Sequence, residues 1–162
     1  MIKTRYVLTV GAVFLSAALA VTYFQVKEPT GPTATAIPAT LADDEVLTWN
    51  CEIPEYKPES IMLTCADGGW MVQTITWSKW GKGGAEGTGI FREKLCEPSC
   101  AEGEIAKEKV KVTLSDLKER KGKYYLRTLD IRTASGKDFM SGRGDELKWD
   151  VMEFIEMMDW DK

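Results

Sequence analysis

The chain has 162 residues, of which 44% are hydrophobic and 28% charged, with a formal charge of −4. This is ordinary globular composition, and with the first 45 residues reading as targeting and spacer sequence, about 115 remain for one small domain. Histidine is absent, which excludes Ser-His, Cys-His and His-metal chemistry.

Residues 6–26 hold no charge and follow Lys3 and Arg5. As a helix they would reach about 31 Å, the hydrocarbon thickness of a bilayer. Basic residues on the leading side keep the amino end cytoplasmic and send the rest across. Ala18-Leu19-Ala20 matches a small-x-small cleavage site, yet Val21, Thr22, Tyr23 and Phe24 continue the apolar run beyond it. The segment 1–26 is therefore a signal anchor or a signal peptide. The protein is either membrane-anchored through residues 6–26 with its domain extracytoplasmic, or secreted after cleavage. Residues 27–45 are rich in Pro, Thr and Ala. They bury too little to offset their ordering entropy, and read as an extended spacer.

Cys51, Cys65, Cys96 and Cys100 all follow the export segment, which argues for two disulfides. Short local loops favour Cys51–Cys65 and Cys96–Cys100 among the alternatives. A four-cysteine zinc site is disfavoured because thirteen residues separate Cys51 from Cys65. A redox dithiol is disfavoured because three residues, not two, separate Cys96 from Cys100. No metal and no cofactor is expected.

Residues 46–133 read as a disulfide-braced β domain. Ser60 to Cys65 alternates, with Ile61 and Leu63 on one face. Trp70 to Trp77 sets Met71, Ile75 and Trp77 on one face. Ala85, Gly87 and Gly89 recur every second residue and leave a strand face bare, which Trp77 or Trp80 is expected to fill. From Glu108 to Ser115, Val110, Val112 and Leu114 point inward and Lys109, Lys111 and Thr113 outward. Lys118 to Lys123 is a charged turn around Gly122. Lys123 to Thr133 sets Tyr125, Leu129 and Ile131 on one face, and Arg127 breaks that face, as at a bulge or an edge. The fold class is mainly β: a small antiparallel sandwich or partly open barrel of about five strands, with an N-terminal transmembrane or signal helix and a short C-terminal helix.

Trp77-Ser78-Lys79-Trp80, Ala85-Glu86-Gly87-Thr88-Gly89, Cys96-Glu97-Pro98-Ser99-Cys100-Ala101-Glu102-Gly103 and the strand Val110 to Ser115 form a combined pattern. It runs W-x-x-W, A-x-G-x-G, C-x-P-x-C-A-x-G. In it the chain resembles a family of small secreted or membrane-attached actinobacterial proteins, over about residues 60 to 132. The resemblance implies export and a β fold, and brings no chemistry with it.

Residues 134–162 read as a polar linker followed by an acidic amphipathic helix. The linker holds Arg143-Gly144-Asp145, an integrin-type tripeptide taken here as coincidence. Leu147, Val151, Phe154, Ile155 and Met158 share one helical stripe. Trp149, Met152, Met157 and Trp160 are the candidate partner contacts, since spare tryptophan and methionine surface marks contact sites. Lys107, Lys109, Lys111, Lys118, Arg120, Lys121 and Lys123 make a locally basic stretch. Glu108 and Glu119 dilute it, so it reads as a solvated strand face without nucleic-acid binding.

The expected function is an exported, membrane-anchored, non-enzymatic domain that binds an envelope component or a protein partner. The alternatives are a small glycan hydrolase using carboxylates such as Asp67, Glu86 and Asp130, or a purely structural envelope protein.

Overall fold

Alternating burial along the strands builds this molecule. In a computed structural model, residues 37–158 are described. The expected anchor or signal peptide and the spacer up to residue 36 lie outside them, as does Trp160. Among the described residues no helix is long and apolar enough to cross a membrane.

A 3-10 turn at Asp43–Glu45 leads into eight strands: β1 (Val46–Asn50), β2 (Ile53–Glu55), β3 (Ile61–Met62), β4 (Trp70–Lys79), β5 (Ala85–Lys94), β6 (Ile105–Arg120), β7 (Lys123–Thr133) and β8 (Glu146–Asp150). One helical turn and a half, α1 (Glu153–Met158), closes the described chain. The strand order is β2-β1-β7-β6-β5-β4-β3, with β8 also on β7. All pairs are antiparallel except β1 with β7, which is parallel. There is one curled, open sheet, so the partly open barrel is the architecture and the sandwich is not.

The curl brings the two ends of the sheet together without a backbone ladder between them. Met62 N–H donates to Asn50 Oδ1 at 2.9 Å, and the Cys51–Cys65 disulfide crosses the same gap. Trp80 Nε1 donates to Val46 O at 2.8 Å and Trp77 Nε1 to Pro58 O at 2.8 Å. Trp80 thus reaches a carbonyl of β1 at the other end of the sheet and Trp77 one in the β2–β3 connection, satisfying donors that burial would otherwise strand.

The core lies on the concave face. Val110, Val112 and Leu114 of β6 sit opposite Thr133, Ile131 and Leu129 of β7, and all six are buried. Gly87 and Gly89 meet the same face from β5. A Cβ on Gly87 would stand 2.7 Å from Thr76 O and 3.0 Å from Trp77 Cε3. Trp77 therefore fills the bare strand at Gly87, as expected, and packs edge-on against Trp80 with ring centroids 4.9 Å apart. At Gly89 the fillers are Val72 and Ile75 instead.

The differences from the sequence reading have local causes. In β4 a register shift between Gln73 and Thr76, with Thr74 at φ 52°, moves the inward face from Val72 to Ile75. Met71 therefore does not share the buried face. The displaced Ile75 N–H donates to Glu59 O at 2.8 Å. Arg127 is not at an edge, since β7 has partners on both sides, but it does mark an irregularity: the β6–β7 pairs run from Ser115–Thr128 to Leu117–Leu126 with Asp116 at φ 60° between them, and Tyr125 and Leu126 are buried in succession. The expected C-terminal helix is short because Glu146–Asp150 pairs with β7 as a strand. Only Val151, Met152 and Ile155 of that region are fully buried. The linker at 134–144 is not merely polar, since Phe139 is buried against Phe91 at 5.1 Å between centroids.

Candidate partner-binding cleft

Arg127 organises the C-terminal segment. Its Nε and Nη2 donate to Asp150 Oδ2 at 2.8 and 2.6 Å, and Nη1 and Nη2 donate to Glu156 Oε1 and Oε2 at 2.9 and 2.8 Å. Hydrogen bonding to Asp150, then to Glu156, holds the guanidinium pKa above its ordinary value. Asp150 Oδ1 accepts the Met152 N–H at 2.9 Å. One carboxylate thus ends the strand, starts the helix and anchors both to β7. Arg120, from the basic stretch, adds a longer contact to Glu156 at 3.7 Å.

Docked this way, α1 leaves a cleft of about 200 Å³ between itself and the Cys51–Cys65 bridge. Its walls include Met62, Leu63, Trp149, Phe154 and Met157. Of the four candidate contacts, Met157 is 69% exposed on the lip and Trp149 lines the wall. Met152 is only 2% exposed and belongs to the core. Trp149 is not spare surface: it stands opposite Leu129 in the sheet and edge-on to Trp70 at 6.3 Å. Phe154, assigned to the inward stripe, lines the cleft, because the helix starts six residues later than Leu147 would require. Nothing in the sequence marked Met62 or the first disulfide as neighbours of this segment.

Both disulfides form with the favoured pairing, Cys51–Cys65 and Cys96–Cys100. Among the described residues, no group of three His, Cys, Asp or Glu is arranged to hold a metal.

The carboxylates named as hydrolase candidates lie apart. Asp67 sits in the turn after Cys65, where Gly69 N–H donates to it at 2.9 Å. That bond, with one to Thr64, lowers its pKa. Glu86 pairs with Lys79 at 3.1 Å. Asp130 belongs to a four-charge cluster with Glu146, Arg132 and Lys148. Burial, then the neighbouring Glu146, raises the Asp130 pKa, while the hydrogen bond from Asp130 lowers that of Glu146. Glu86 and Asp130 face outward on the same row, each opposite Thr113, hence about 10 Å apart.

Arg143 of the Arg-Gly-Asp tripeptide is engaged in the fold, with its guanidinium over the Trp70 ring and its Nε near Glu93. No protein-family model, curated protein or solved structure matches this chain.

Proposed function

We propose that the chain is an exported, membrane-anchored, non-enzymatic domain that binds a protein partner through the cleft beside α1. The observation that carries this reading is Met157, a large apolar side chain left 69% exposed at the lip of a cleft walled by Trp149 and Phe154. Flexible methionine beside fixed aromatic rings suits a contact surface. Support for the exported location comes from two disulfides, which persist in oxidising compartments. The resemblance to secreted or membrane-attached actinobacterial proteins points the same way.

The test is a photo-crosslinking amino acid placed at Met157 and, as a control, at exposed Lys82 in the native host. A discrete adduct at Met157 that disappears with Phe154→Ala supports the cleft. Identical adduct patterns at both positions remove it.

The second reading, a glycan hydrolase, draws on the Glu86–Asp130 row. Both acids have cationic partners and stand on the outward face. Turnover of an envelope glycan that is abolished by Glu86→Gln would favour it.

A further inference from the structure

Strand alternation separates charges that are adjacent in the sequence. On β6, Lys107, Lys109 and Lys111 are exposed while Ala106, Val110 and Val112 are buried. Glu108 has the opposite parity, and its Oε1 accepts a hydrogen bond from Ser135 at 3.2 Å. The acid that dilutes this run on paper thus leaves the lysine row. On β5, Arg92 stands opposite Lys107, and Lys94 follows on the same face.

These cations are not cancelled by carboxylates. The side chains of Lys107, Lys109 and Lys111 make no hydrogen bond or ion pair among the described residues. Arg92 and Lys94 donate to the carbonyls of Gly68 and Gly103 at 2.9 and 2.5 Å. The outward acids nearest in register, Glu86 and Asp130, are paired with Lys79 and with Arg132 and Lys148. Asp67 is the acid that lines the depression beside Arg92 and Lys94. Shallow depressions of about 390, 400 and 320 Å³ follow one another along the face, beside Arg92 and Lys94, Lys109 and Lys111 respectively. The lysines repeat every second residue, about 6.7 Å.

We infer that the outward face of β5 and β6 is a docking track for an extended phosphodiester polymer of the envelope, of the polyol-phosphate type. Charge complementarity identifies the occupant. Lysines act as point charges that suit phosphate, whereas planar carboxylates favour the forked guanidinium that only Arg92 supplies here. The face is the convex side of a curled sheet, so a flat bilayer would meet it along a line only. No aromatic ring projects from the outward positions of β5 or β6, so the stacking platform of a single-stranded nucleic-acid site is missing. This surface is separate from the cleft beside α1, and the inference stands without it.

The experiment measures binding of the full chain, in an uncharged detergent, to poly(glycerol phosphate), polygalacturonate, oligo-dT and anionic vesicles across a salt series. The expected result is tightest binding to poly(glycerol phosphate), with a log–log salt slope of about −2 to −4. K107E/K109E/K111E should weaken it at least tenfold, and the milder K107Q/K109Q/K111Q should weaken it in the same direction while keeping the fold. K57E/K82E/K123E, with the same change of net charge, should keep most of the affinity. Tighter binding to vesicles, oligo-dT or polygalacturonate, no binding, or equal losses in the two Glu triples would overturn the inference.

Discussion

Arg143 holds its guanidinium carbon 4.2 Å from the centroid of Trp70, and the same group reaches Glu93 at 3.6 Å from Nε to Oε1. Glu93 is only 3% exposed and stands opposite Trp70 in the ladder. One cation therefore covers an aromatic ring and offsets a carboxylate that the sheet has taken from water. Arg143→Ala should lower stability by about 1–3 kcal/mol, the range for stranding a buried polar partner. Adding Glu93→Gln should recover a substantial part. Denaturant unfolding of the two single mutants and the double mutant measures this. Additive losses would show that Arg143 does not serve Glu93.

The sheet curls until Cys51 and Cys65 meet, with Cα atoms 5.6 Å apart. Replacing both with Ala should cost about 3 kcal/mol by loop-closure entropy, and the shorter Cys96–Cys100 loop about 2 kcal/mol. Thermal unfolding under non-reducing conditions compares the two. A larger loss at the shorter loop would mean that the first bridge does not brace the curl.

Gly87 lies under Trp77 and against the Thr76 carbonyl. Gly87→Ala should destabilise by about 1–3 kcal/mol, because backbone and ring must both shift. At Gly83 no atom lies within 4 Å of an added Cβ, so Gly83→Ala should be close to neutral. Equal unfolding midpoints for the two variants would contradict the packing account.

Two forces hold α1, and they differ in salt dependence. Its Arg127–Glu156 pair is partly exposed, so Glu156→Gln should cost no more than about 1 kcal/mol, less at high salt. Ile155 is buried, and Ile155→Ala should cost about 2–4 kcal/mol. Limited proteolysis of the tail should therefore respond strongly to Ile155→Ala and weakly to ionic strength. The reverse order would make the helix electrostatically docked.

The acids titrate in opposite senses. Asp67 has a lowered pKa from Gly69 and Thr64, so it stabilises the fold above its unfolded pKa of about 3.9. That contribution is lost as pH falls further, through the folded value. Asp130 has a raised pKa, so its contribution is full below about pH 3.9 and declines as pH rises through the folded value. Asp67→Asn should flatten the acid limb of stability against pH, and Asp130→Asn should be neutral or stabilising at pH 7. Carboxyl titration by NMR gives the same signs directly. Both carboxyls titrating at their unfolded values would contradict them.

Much of the sheet was legible because β6 and the second half of β7 alternate cleanly and carry large apolar residues inward, and because the bare face of β5 called for an indole to fill it. Local spacing also favoured the disulfide pairing. The short strands β1, β2 and β8 were not legible. Thr48 is buried through a bond to Leu126 O, and Trp149 reads equally as helix or strand until β7 supplies its partner. The β4 bulge hid for a similar reason: Thr74 takes a positive φ that its β-branched side chain does not advertise. The lysine row was visible as composition. Its separation from Glu108 depends on a strand parity that a charge count ignores.

The proposed export and the curl of the sheet share one requirement: Cys51–Cys65 bridges the gap between the sheet ends, and Cys96–Cys100 closes its own short loop. The most direct measurement is non-reducing peptide mapping of protein taken from its native cells, with thiols blocked at lysis. The account predicts peptides joined Cys51 to Cys65 and Cys96 to Cys100, with no blocked cysteine. Four blocked thiols, or a crossed pairing, would contradict it.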